Sequence, residues 1–113
     1  MAIPKKTLKL LQERDLWCAH CGSTDDLVPH HRRNRGMGGS KLLDTLDNLM
    51  MVCAIYNGAM ESDLTVARQA RAWNHKLPVW EKVNLPVFDR AGGWWYLQAD
   101  GSKVQADWDD AAF

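Results

Sequence analysis

The chain has 113 residues, 46% hydrophobic and 25% charged, enough for one small globular core and too few for two independent ones. Formal charge is zero and the pI is about 6.9, so a global basic field is excluded and any affinity for nucleic acid must come from local clustering. No apolar run reaches the roughly 18 residues of a membrane span, and the start MAIPKKTLKL lacks the apolar core of a secretory signal, so a cytoplasmic protein without a membrane partner is expected.

Pro4 followed by KKTLKLLQERDL predicts a packing helix, with Leu8 and Leu11 on one face and lysines on the other. Next, Cys18-Ala-His-Cys21-Gly forms a knuckle that offers two thiolates to a zinc ion, and Cys53 offers a third from farther along. Three cysteines cannot all pair, and in a cytosolic protein the C-x-x-C spacing suggests metal before disulfide. The segment LVPHH from Leu27 predicts a short strand in which neighbouring side chains point to opposite faces. His30 and His31 therefore cannot duplicate each other: one can face a metal while the other handles a proton. Arg32, Arg33, Arg35 and Lys41, interleaved with Gly36, Gly38 and Gly39, make a cationic loop suited to phosphate.

Asp47-Asn48 leads into LMMVC, a second buried strand expected to run antiparallel to the first. Asn57 and Glu61 lie four apart at the start of the following helix and can project from one face. Asp63 can cap a further helix in which Val66, Ala70, Trp73 and Leu77 recur at helical spacing, with Arg68 and Arg71 on another, solvated face. That helix should end before Pro78. After an irregular stretch, Trp94 to Leu97 and the Asp100-Gly101 turn predict a terminal hairpin over about 86–106, ahead of an acidic tail with Asp107, Asp109 and Asp110. The six tryptophans read as core area rather than as stacking platforms for bases.

The ordered set HHRRNRGMGG, then DNL, then NG-x-x-ES resembles the HNH endonucleases, the ββα-metal nucleases, and is most similar to their small phage-encoded branch. The likeness runs from Leu16 to about Trp73. It implies an α+β single domain over residues 1–113, built on a ββα-metal core at about 16–75 with an N-terminal helix and a C-terminal β-hairpin. Carried over by position, His30 resembles the metal ligand ending the first strand, and His31 the general base that activates water. Asn48 matches the central asparagine that orients the base, and Asn57 the last position, where the family carries histidine or asparagine as metal ligand. Glu61 is a third ligand, an orienter of His31 or a solvent-facing residue.

An amide oxygen is a harder and weaker donor than imidazole, which favours Mg²⁺ or Mn²⁺ over Ni²⁺ or Zn²⁺ at this site. Arg32, Arg33, Arg35 and Lys41 would touch the DNA backbone, with low sequence specificity. The family's second C-x-x-C would place a thiolate at position 56, where this sequence has Tyr56. A structural Zn²⁺ would then take its fourth ligand from His20, His75 or water; otherwise the three cysteines are reduced core thiols. The implied activity is metal-dependent nicking or double-strand cleavage of DNA, in phage DNA packaging with terminase in the host cytoplasm. The alternative is a catalytically inactive zinc-ribbon-like DNA-binding or adaptor module, which needs the basic loop but not His31.

Overall fold

The computed structural model describes residues 3–34 and 41–107, and of Lys41 the backbone alone. Pro4 accepts the amide of Leu8 at 2.9 Å and so opens helix α1 (Lys5–Arg14). Its apolar side buries Leu11 completely, in a cluster with Leu46, Leu49 and Met51. Strand β1 (Leu27–His31) pairs antiparallel with β2 (Leu49–Cys53), with His30 opposite Met50 and His31 opposite Leu49. Every residue of β2 is buried because both of its faces are covered. Leu49 and Met51 meet α1, while Met50 and Val52 join a second cluster with Cys18, Tyr56, Met60 and Ala70.

The free edge of β2 is closed by an arginine–aspartate pair at the end of α1. Arg14 donates to the carbonyls of Leu46 and Leu49, both at 2.6 Å, and Asp15 accepts the amide of Met51 at 2.9 Å. That arrangement blocks the pairing that an open strand edge would otherwise invite.

Cys53 ends β2 and also caps helix α2 (Ala54–Ser62), its sulfur accepting the amide of Tyr56. Strand, strand and helix therefore follow the expected order, with α2 directly continuous with β2. Asp63 caps helix α3 (Leu64–Ala72) by accepting the amides of Thr65 and Val66, as the sequence predicts. The end of α3 differs from expectation. Asn74 turns left-handed at φ 58, the amide of His75 returns to the Ala70 carbonyl, and Leu77 leaves the helical path to bridge with Arg33.

The C-terminal part is a three-stranded meander rather than one hairpin: β3 (Val87–Asp89), β4 (Gly93–Leu97) and β5 (Lys103–Gln105). The turn through Asp100-Gly101 lies where expected, with Gly101 at φ +95. Trp94 is buried, and Trp73 and Trp95 are half-buried against the core, whereas Trp80 is exposed. Over the described residues the fold is thus a small α+β domain with three α-helices and two antiparallel sheets. Among the described residues, no helix is long and apolar enough to cross a membrane.

Candidate functional site

The alternation of β1 sends its two histidines to different surroundings. His30 is buried, and its Nε2–H donates to the backbone carbonyl of His75 at 2.7 Å. A carbonyl can only accept, so Nε2 carries the proton and the lone pair of the neutral ring sits on Nδ1. Burial holds the ring neutral, lowering its pKa to about 4 against the opposing effect of the His75 carbonyl. His31, on the other face and half-buried, donates from Nε2 to Asp44 Oδ1 at 2.7 Å. Asp44 is itself buried. Nothing in the sequence pattern singled it out, since it lies 13 residues away beyond a glycine-rich loop. An acidic residue just before the DNL segment was the only available hint.

Asn48 is fully buried. Its Oδ1 accepts the amide of Arg33 at 2.9 Å, and its Nδ2 donates to the carbonyls of Arg33 and Leu43. Its own carbonyl accepts the Arg32 amide at 2.8 Å. The expected contact with the His31 ring is therefore replaced by a clamp across the backbone that follows His31 and precedes Asp44.

Asn57 and Glu61 are one turn apart on α2, Asn57 half-buried and Glu61 exposed. The Glu61 carboxylate is close enough to His30 to act on it electrostatically, and it pairs with Lys76 at 3.2 Å. That pair engages Oε1, so a third-ligand role would fall to Oε2.

Arg32 is corrected. Only 1% exposed, it donates to four backbone carbonyls, those of Asn74, Asp47, Val83 and Leu85, at 2.6 to 3.0 Å. Four of its five N–H donors are used inside the protein and the side chain is buried, so it does not reach a phosphate. Arg33 is half-buried and lines an open cavity of about 400 Å³ with Asp47 and Lys82, its Nε without a partner. Arg35, Gly36, Gly38, Gly39 and the tail residues Asp109 and Asp110 lie outside the described residues, as does the Lys41 side chain.

The second constellation is sulfur. The Sγ atoms of Cys18, Cys21 and Cys53 lie within 4.8 Å of one another and could hold a metal ion; among the described residues they are the one such group of histidine, cysteine or carboxylate ligands. Cys18 is buried, and desolvation pushes its thiol up to about 11, while backbone amides of Cys53, Cys21 and His20 act in the opposite sense. Cys21 is exposed, and its thiol is lowered chiefly by the Ser23 amide.

His75 does not serve this cluster. It is 0% exposed, donates from Nε2 to the Phe88 carbonyl at 2.6 Å and accepts from the Tyr56 hydroxyl at Nδ1 at 2.7 Å. Burial lowers its pKa to about 3. His20 donates from Nε2 to Gln69 at 2.9 Å and stacks flat on Tyr56 at 4.0 Å. No family model, curated protein or solved structure matches this sequence.

Proposed function

We propose that this protein is a metal-dependent endonuclease hydrolysing phosphodiester bonds in DNA, of the HNH kind that its motif spacing resembles. The observation that carries the reading is the pair of adjacent imidazoles ending β1, each with its Nε2–H engaged by a different acceptor, so that each keeps its Nδ1 lone pair for another task. A binding module has no use for that division.

The donor types suit a divalent cation. The Nδ1 lone pair of His30 is the form a metal requires, with the other ring nitrogen fixed by a carbonyl in the way that orients metal-bound histidines. Asn57 adds an amide oxygen, and two protein ligands suit Mg²⁺ or Mn²⁺, which retain water. An ion held by His30 and Asn57 supplies stabilisation of the charge that builds on phosphorus and on the leaving oxygen.

His31 Nδ1 would take the proton of the attacking water. Asp44, bonded to the opposite nitrogen, holds the ring in the required tautomer and stabilises the imidazolium that forms. Asn48 keeps both ends of the intervening loop in register. Arg33 and Lys82, which line one cavity, would be the cations that meet phosphate.

The test is supercoiled plasmid incubated with purified protein and Mg²⁺, Mn²⁺, Ni²⁺ or Zn²⁺, with His31→Ala alongside. Nicked or linear product should depend on metal, and the variant should lose at least about a hundredfold in rate while remaining folded. Plasmid that stays supercoiled with all four ions would overturn the reading, as would a variant cutting at the wild-type rate.

A further inference from the structure

Three thiolates are an incomplete shell for zinc, which is four-coordinate and tetrahedral in closed protein sites. With Zn–S bonds of about 2.3 Å, two sulfurs on one ion stand about 3.8 Å apart. Cys21 and Cys53 are 3.7 Å apart, and Cys18 lies within 4.8 Å of both. One backbone donor also faces the sulfurs, since the Tyr56 amide donates to Cys53 Sγ at 3.3 Å.

No fourth ligand from histidine, cysteine or carboxylate joins the group among the described residues. Tyr56, standing where a C-x-x-C would carry its second thiol, turns its hydroxyl away to His75. Both ring nitrogens of His75 are engaged, and His20, which gives its Nε2–H to Gln69 and stacks on Tyr56, keeps its Nδ1 but does not belong to the group that the three sulfurs form. The open side of the cluster is visible in its surroundings. Cys18 forms the buried back, whereas Cys21 and Cys53 line a cavity of about 570 Å³ with His20, Asp25, Asp26, Ile55 and Tyr56, none of which joins the sulfur group, and Ile55 is 86% exposed.

We propose that Cys18, Cys21 and Cys53 hold one zinc ion whose fourth position opens into this cavity and takes an exchangeable ligand from solution, water at rest and the thiolate of a small thiol when one is supplied. In the exchange the thiol gives its proton to solvent, its sulfur binds the metal, and the water leaves; no electron changes hands. Cleavage of DNA plays no part in this, so the site stands or falls apart from the nuclease reading.

The experiment replaces zinc with Co²⁺ in the full-length protein and follows the thiolate-to-cobalt charge-transfer and d–d bands during titration with 2-mercaptoethanol. One equivalent of cobalt should bind. Charge-transfer intensity should rise by about a third as three thiolates become four, and fall back when the thiol is removed by gel filtration. Tyr56→Cys should give the four-thiolate spectrum without added thiol and should not respond to it. If that variant does not fold, the wild-type titration decides alone. A four-thiolate spectrum before thiol is added, bands that do not move during titration, or less than about a tenth of an equivalent of bound metal would each overturn the proposal.

Discussion

His30 and His31 differ by one position and by the acceptor each Nε2–H meets, a neutral carbonyl for the first and a carboxylate for the second. The carbonyl orients a ring that burial keeps neutral. The carboxylate would stabilise a ring that gains charge in the proposed reaction. If both serve cleavage, their losses should separate kinetically. Asp44→Asn keeps an acceptor but removes the charge, and should lower the maximal rate about ten- to a hundredfold with half-saturating metal unchanged. His30→Ala should raise the half-saturating metal concentration and recover part of its rate at high metal. Initial rates across a Mn²⁺ titration measure both, and equal half-saturation for wild type and His30→Ala would remove His30 from the ligand set.

At the scale of elements, Arg32 does the work of a small internal hub. Its guanidinium ties the exit of β1 to the turn before β2, the end of α3 and the segment leading to β3. Arg32→Met would leave those carbonyls without a buried donor and should cost more than about 3 kcal/mol, read as a lowered urea midpoint. Arg33→Ala should leave that midpoint nearly unchanged and reduce the salt slope of DNA binding by about one. The reverse pattern would mean that the two arginines had exchanged roles. Sequence alone could not separate them, because two adjacent arginines after a strand look alike until the protein folds around one. The length of α3 misleads for a similar reason: Trp73 and Leu77 continue the apolar period, yet the left-handed Asn74 ends the helix and Leu77 is drawn to Arg33.

Across the whole molecule, two buried neutral histidines link α2, the end of α3 and both sheets. Tyr56 on α2 donates to His75, His75 donates to Phe88 of β3, and its carbonyl holds His30 of β1. Burial lowers these rings from an ordinary 6.5 to about 4 for His30 and about 3 for His75. Below 6.5 the unfolded state binds protons that the native rings refuse, so their stabilising effect is complete above that pH and is lost as pH falls. The slope should approach about 1.4 kcal/mol per pH unit for each ring. Urea midpoints should therefore stay nearly level from pH 7.5 to about 6.5 and decline steadily from there to 4.5. A flat profile would show that both rings titrate freely in the native state.

Local periodicity and punctuation determined much of this protein. The short run LVPHH and the unbroken apolar run LMMVC specify two paired strands, and the strand period sends the histidines to opposite faces; Pro4 and Asp63 open their helices; Cys18, Cys21 and Cys53 converge. These features depend on neighbours a few residues apart or on pairing that an apolar pattern enforces. Tertiary structure alone decided that Arg32 is buried, that Asp44 meets His31, that Asn48 clamps a backbone rather than a ring, and that Tyr56 turns from the thiols to His75. Each of those outcomes rests on hydrogen-bond partners brought from afar, as when Arg32 reaches Leu85, 53 residues away. A polar group takes whichever partner packing leaves beside it once water is excluded, and that choice is made only in the folded state.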